Sequence, residues 1–156
     1  MVCARESVEG VWKWGEQVLP RVSKYTYLGV DFMSNGAWDE HIKRILDNGR
    51  NKVNKLRSVL SNREINTTAR RLLLLSVVRP TLEYGSEVWE GNKAQAASLE
   101  SVLLGGAKCI LGCSSRSCNE AVRGGMWLDT LQGRRDKAKL KYWYELAGEE
   151  ERYIRK

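Results

Sequence analysis

A stripe of apolar residues with helical spacing, beginning near residue 38, constrains the fold of this chain more than any other feature. Its members recur at the three- and four-residue intervals that place side chains on one face of an α-helix. They are Trp38, Ile42, Ile45, Leu46, Gly49, Val53, Leu56 and Leu60. We therefore predict a long amphipathic helix over residues 38–60. Asp39 and Glu40 suit the positive end of its dipole.

The residues before this stripe are typical of β-strands. β-Branched and aromatic side chains are dense over residues 11–32, and such residues favour strands. Gly15-Glu16 has the position of a hairpin turn, and residues 24–32 are predicted as one further strand with Gly29 inside it. Ser34-Asn35-Gly36 should end the β part.

Helical patterns dominate the rest of the chain. The helix after the long one should kink or stop at Pro80, because proline lacks the N–H group that a helix uses, and helical patterning resumes through Tyr84 and Trp89. Ser117 and Glu120 have capping-box spacing, so a short helix should begin there. The further helices are predicted over residues 66–78, 94–111, 117–125 and 130–146. We therefore expect an α+β protein, mostly α-helical, with an N-terminal β-hairpin or short strands followed by a helical bundle.

Charge favours a polyanionic partner. The chain has 26 Lys and Arg against 19 Asp and Glu, a net charge of +7. Lys43, Arg50 and Arg57 recur every seven residues beside the apolar stripe, a geometry suited to following a phosphate backbone. The alternative is an ordinary solvated helix face. Arg134, Lys137 and Lys141 form a second basic line on the last helix. Trp143 and Tyr144 are adjacent to it.

No catalytic constellation is evident in the sequence. His41 is the only histidine, and with no serine elbow or activated cysteine to act with it we expect a local packing or hydrogen-bonding role. Phosphate-cradling glycine loops and the paired carboxylates of two-metal catalysis are not seen. Cys109, Cys113 and Cys118 would supply only part of a zinc site. The favoured interpretation of these cysteines and of Cys3 is buried or inert thiols, with no metal or other cofactor.

The sequence also favours an intracellular protein. The first residues lack the apolar stretch of a secretory signal. The longest apolar run, Leu72-Leu73-Leu74-Leu75, is far shorter than the roughly 20 residues that span a bilayer. We therefore expect a cytoplasmic or nuclear protein with no membrane partner.

Five separated motifs follow one another in a characteristic order. They are YTYLGVDF at residues 25–32, WDEHI at 38–42, RPTLEYGSEVW at 79–89, ILGCS at 110–114 and NEAVRG at 119–124. Together they resemble the C-terminal part of the reverse transcriptase of LINE-type retrotransposons, which lack long terminal repeats. The resemblance covers about residues 11–146.

The resemblance implies three segments with different roles along the chain. It implies a palm-end, primer-grip-like segment over residues 1–33, thumb-like helices over 34–91 and a post-thumb helical segment over 92–156. Tyr27, Leu28 and Gly29 match the part that positions the primer 3′ end. The implied partners are RNA or an RNA·DNA template–primer, held by its backbone, and the remainder of the polymerase, with no small-molecule substrate.

The resemblance also limits the expected activity. The family's Tyr-x-Asp-Asp motif, whose carboxylates bind divalent metal ions, belongs upstream of the matched segment, so this chain is not expected to polymerise alone. The alternative function is that of a structural remnant of a mobile element. Such a remnant would self-associate through exposed apolar surfaces, for which the candidates are Trp12, Trp14, Trp38 and Trp89.

Overall fold

The structure, a computed structural model, describes residues 12–154, with side chains described for residues 12–148. Val11 and Cys3, which entered the sequence predictions, lie outside the described residues. The chain divides into two compact units, one ending at Arg44 and the other beginning at Ile45. The fold is α+β and mostly helical, as predicted.

Two antiparallel hairpins make up the strands in the described part of the first unit, residues 12–44. The first hairpin, β1 (Lys13–Trp14) with β2 (Gln17–Val18), turns at Gly15-Glu16 as predicted. The second joins β3 (Lys24–Tyr27) to β4 (Val30–Met33). The prediction of one continuous strand over residues 24–32 is therefore wrong.

The second hairpin turns through two residues with positive backbone φ. Leu28 has φ +45° and Gly29 has φ +76°, which is the requirement of a tight two-residue turn between antiparallel strands. Glycine at this position fits the usual turn chemistry, whereas leucine is rare in the left-handed region. The leucine is the reason that the sequence pattern suggests a continuous strand.

The long helix forms where the apolar stripe predicts it. Helix α1 spans Asp39–Ser61, with Asp39 and Glu40 in its first turn. The stripe faces inward: Trp38, Leu46 and Leu56 are partly buried, and its other members, Ile42, Ile45, Gly49, Val53 and Leu60, are buried.

The next helical segment continues through Pro80. It consists of α2 (Thr67–Leu73), a π-helical turn (Leu74–Val78) and α3 (Arg79–Leu82). Pro80 lies in the first turn of α3, where its missing N–H is tolerated, and the wider π turn precedes it. The helix therefore ends at Leu82 rather than at the proline.

The helical pattern predicted through Tyr84 and Trp89 is wrong. Residues 83–88 form turns, and Gly85 has φ +64°. Trp89 is 1% exposed, and its indole N–H donates to the carbonyl oxygen of Tyr84 at 2.9 Å. Folding of this tryptophan back into the core bends the chain away from a helical path.

Three helices complete the second unit: α4 (Lys93–Leu111), α5 (Asn119–Gly125) and α6 (Leu131–Ile154). The predicted apolar positions of α4 are buried, namely Leu99, Val102, Leu103 and Ile110. None of the described helices is both long enough and apolar enough to cross a lipid bilayer.

Two predictions about helix ends need correction. The N-cap of α5 is Cys118, so Ser117 and Glu120 do not form the predicted capping box. Glu120 instead accepts a hydrogen bond from the Cys118 thiol at 3.0 Å. Helix α6 extends eight residues beyond the predicted end at Leu146, and of its predicted apolar face Leu131 is buried, whereas Tyr142 and Leu146 are exposed.

A buried arginine closes two helix ends in the second unit. Arg70 is 5% exposed, and one of its guanidinium nitrogens donates to the carbonyl oxygens of Leu60 and Ile110, each at 3.0 Å. These carbonyls belong to the last turns of α1 and α4, where backbone oxygens lack partners within the helix. Arg70 therefore fixes the C-terminal ends of both helices against α2.

Close packing of the helices depends on two glycines. A Cβ atom at Gly49 would lie 2.5 Å from Leu82 Cδ2, and one at Gly106 would overlap the side chain of Leu74. Leu74 and Leu82 are fully buried, so neither can move aside easily. The glycines of α1 and α4 thus allow these helices to approach α3 and the π turn.

Gly105 and Gly106 provide a matched test of this packing. Gly106→Ala should lower the free energy of unfolding by about 1–3 kcal/mol, because it overpacks the core against Leu74. Gly105→Ala should instead raise it by about 1 kcal/mol, since a Cβ there meets nothing and alanine is the better helix former. Urea denaturation measures both changes, and equal effects of the two substitutions would contradict the packing described.

Candidate nucleic-acid interface

The residues expected at the primer end lie at the tip of the second hairpin. Tyr27 is 57% exposed and Leu28 is 75% exposed. Arg44, on the first turns of α1, donates from its terminal nitrogen to the carbonyl oxygen of Gly29 at 2.5 Å. This bond ties the turn to the helix, so Tyr27 and Leu28 are presented to solvent on a braced hairpin.

A buried carboxylate lies close to the turn of the same hairpin, in the second residue pair from it. Asp31 in β4 is 2% exposed and accepts hydrogen bonds from the Thr26 hydroxyl at 2.6 Å and from Arg44 Nε at 2.7 Å. Burial alone would raise the pKa of Asp31, but the Thr26 hydrogen bond and the charges of Arg44 and Lys24 outweigh it, so the pKa is lowered. Sequence reasoning missed Asp31; its only signal is an acid placed between Val30 and Phe32.

His41 has the local role predicted for it. Its ring is fully buried, and Nδ1 accepts a hydrogen bond from the backbone N–H of Asp31 at 3.2 Å. Burial, followed by the positive charge of Arg44, lowers the pKa of His41 below 6.5. The neutral imidazole therefore holds β4 against the start of α1 at neutral pH.

The positive charge of the chain is concentrated in one stretch. Residues 48–82 hold eight basic residues and one acidic residue, a net charge of +7 that equals the net charge of the whole chain. The structure separates this set into two groups. Arg70, Arg71 and Arg79 are buried or half-buried, whereas the exposed members are Arg50, Lys52, Lys55, Arg57 and Arg63.

The exposed face of α1 combines these cations with neutral hydrogen-bonding groups. Lys43, Arg50 and Arg57 are all exposed and lie on one flank of the apolar stripe, as their seven-residue spacing predicts. Asn51, Asn54 and Ser58 are exposed on the side away from the core. The only ion pair that the structure gives to this flank joins Arg50 to Asp47 at 3.3 Å. Such a surface pair is weak and open to competition from a phosphate.

The three members of the basic line predicted on α6 have different surroundings in the structure. Arg134 forms a two-pronged ion pair with Glu83, at 2.6 Å from Nε and 3.2 Å from the terminal nitrogen, and this hydrogen bonding raises its pKa. Lys137 is exposed, and Lys141 is exposed with Glu145 3.7 Å away. Only the two lysines of this line are therefore open to a ligand.

Aromatic side chains accompany the two lysines of α6. The rings of Trp143 and Tyr144 are exposed and meet edge to face, with centroids 5.7 Å apart. A shallow cleft of about 410 Å³ beside them is lined by Glu87, Lys139, Leu140, Tyr142, Trp143 and Leu146.

The described cysteines do not form a metal centre. Among residues 12–148, no group of three or more His, Cys, Asp or Glu side chains could hold a metal ion. Cys109 is partly buried, but Cys113 and Cys118 are exposed. Of the thiols predicted to be buried or inert, those of Cys113 and Cys118 are therefore not buried; they lie in and at the end of the loop that follows α4.

Comparison with known proteins gives no relative. The chain matches no family model, no curated protein and no solved structure.

The strained turn at Leu28 can be tested by substitution. Leu28→Asn should raise the free energy of unfolding by about 1 kcal/mol, because asparagine tolerates the left-handed backbone that strains leucine. Thermal denaturation, with amide exchange of β3 and β4, measures this effect. A clear loss of stability would show that the Leu28 side chain stabilises the turn.

The single histidine makes the Asp31–His41 contact testable by titration. Because burial lowers the pKa of His41, the unfolded chain binds the proton more readily, and stability should fall as the pH drops below 6.5. The imidazole resonances followed by NMR should titrate with a midpoint below 6.5. A midpoint at or above that value would contradict the burial of a neutral His41. His41→Gln should remove this part of the pH dependence.

Proposed function

We propose that this chain binds RNA or an RNA·DNA template–primer through its phosphates, as the palm-end, thumb and post-thumb part of a LINE-type reverse transcriptase. The motifs in residues 25–124 support the family assignment. The observation that carries the binding proposal is the exposed cationic flank of α1, formed by Lys43, Arg50 and Arg57, of which the two arginines belong to the basic stretch of residues 48–82.

The composition of this flank suits a backbone contact. Arginine and lysine pair with phosphates, and asparagine and serine side chains donate hydrogen bonds to phosphate oxygens. Arg50 and Arg57 lie two turns apart along α1, with Asn51 and Asn54 beside them. Because these contacts do not involve base edges, binding should depend little on sequence and strongly on salt.

The hairpin tip has a separate role in this proposal. Tyr27, Leu28 and Gly29 would lie beside the primer 3′ end, where the bond from Arg44 to Gly29 keeps the turn in one conformation. Positioning of a reacting end requires such a rigid support. Polymerisation itself would use metal-binding carboxylates in the remainder of the polymerase, and this chain would supply no catalytic residue.

Exposed apolar side chains favour self-association as a second candidate function. Trp12 is 56% exposed and Trp14 is 80% exposed, and patches of such residues often mark contact surfaces. Trp89, another predicted candidate, is buried, and Trp38 is only partly exposed. Sedimentation analysis separates the functions, because an oligomer without salt-sensitive nucleic-acid binding favours self-association.

Charge reversal on α1 tests the main proposal. The triple variant Lys43→Glu, Arg50→Glu and Arg57→Glu should weaken binding to all nucleic-acid sequences alike. The slope of log affinity against log salt should flatten by about one unit for each lost contact. Fluorescence anisotropy over a salt series measures both quantities.

A matched control separates a site from net charge. Lys13→Glu, Lys93→Glu and Arg116→Glu change the net charge equally at exposed positions outside residues 48–82. This control variant should keep most of the affinity and of the salt slope. Equal losses in the two variants would contradict a localised interface on α1.

A further inference from the structure

Trp127 combines a highly exposed side chain with an unfavourable backbone conformation. At 85% exposure it is the most exposed large apolar side chain that the structure describes. Its backbone has φ +50°, a region that is unfavourable for a bulky residue. A glycine would fit this position with less strain, so the tryptophan stands where folding alone would favour another residue.

The backbone around Trp127 is held in place from both sides. Met126 and Leu128 are buried, so the residue between them projects outward. Arg71 of α2 donates from Nε to the carbonyl oxygen of Met126 at 2.6 Å and from its terminal nitrogen to that of Trp127 at 2.9 Å. The indole is therefore presented on a fixed backbone, which lowers the entropy lost when a ligand binds.

Unobstructed backbone precedes Trp127 in the chain. Gly124 and Gly125 are exposed at the end of α5, and a Cβ atom at either position would meet nothing within 4 Å. Neither glycine has a positive φ, so neither the turn nor the packing accounts for them. They leave room for a ligand to approach the main chain just before Trp127, whose backbone N–H donates to the carbonyl oxygen of Gly124 at 3.1 Å.

The flat, exposed indole ring favours a nucleotide base as the ligand. Arg71, which holds Trp127, belongs to the stretch of residues 48–82 that carries the net charge of +7. A base offers a flat face to the indole, and the exposed cations of the same stretch, which lie on and just after α1, are available to the phosphates of the same strand. We propose that Trp127 stacks on an unpaired base of the bound nucleic acid. This inference rests on the proposed function and adds a single-stranded element to it.

The experiment compares two substrates and several variants of the full chain. One substrate is a blunt RNA·DNA hybrid, and the other is the same hybrid with a single-stranded overhang. Trp127→Ala should weaken binding of the overhang substrate about fivefold or more, the usual loss for one stacked base, and leave the blunt hybrid unaffected. Trp127→Phe should retain most of the affinity. Trp14→Ala, the control at another exposed tryptophan, should change neither.

Two further measurements make the result specific. Stacking is not ionic, so Trp127→Ala should leave the salt slope unchanged, unlike the charge reversals on α1. Trp127→Gly should lose the same affinity with a Tm at or above that of the wild-type chain, because glycine relieves the strained backbone. This second variant shows that the loss does not come from unfolding.

Several outcomes would overturn the inference. Unchanged binding of the overhang substrate, or equal losses on both substrates, would exclude a base-stacking role while leaving the cationic interface intact. Dissociation of an oligomer by Trp127→Ala would assign the tryptophan to a protein contact instead. If the wild-type chain bound neither substrate, both this inference and the proposed function would be wrong.

Discussion

The packing of the helices in the second unit depends on the hydrogen bonds of the buried Arg70 guanidinium. Its hydrogen bonds reach the carbonyl oxygens of Leu60 and Ile110, residues at the ends of α1 and α4 that are far apart in sequence. A charged group is buried at low cost only when such partners are present, and the helix ends gain the donors that they lack. Loss of this contact would leave unsatisfied carbonyls in the core and release the end of the helix that carries the cationic flank.

The basic side chains in residues 48–82 therefore have two roles, one in stabilising the fold and one in forming the exposed cationic surface. Arg70 and Arg71 fix helix ends through backbone carbonyls, and Arg79 lies 4.0 Å from Glu83. The exposed cations of α1 make few such contacts within the protein. Arg50 has a weak ion pair with Asp47, and Lys52 donates to the Thr81 hydroxyl at 2.6 Å. The buried and half-buried arginines thus stabilise the helices, while the exposed cations remain available for the proposed contact with phosphates.

Local patterns in the sequence predicted the structural features that depend on neighbouring residues, such as the bounds of the amphipathic helices. The 3.6-residue period located α1 and α4 within a residue of their ends, because burial of one face decides both the helix and its packing. The turn at Leu28 was missed because leucine is a rare turn residue, and the extension of α6 was missed because its last turns do not follow the apolar pattern. Arg70 and Asp31 could not be identified as buried, since their partners come together only in the folded chain. For the candidate site, spacing predicted the flank of α1 but not the diversion of Arg134 to Glu83 or the presentation of Trp127.

The proposed interface places nucleic-acid phosphates along the exposed flank of α1. NMR chemical-shift mapping during titration with a blunt RNA·DNA hybrid tests it most directly, because it locates the contact without any substitution. The largest changes should occur at the side-chain amides of Asn51 and Asn54 and at the guanidinium groups of Arg50 and Arg57, and added salt should reverse them. Changes confined to α6 or to the first hairpin, with α1 unaffected, would contradict it.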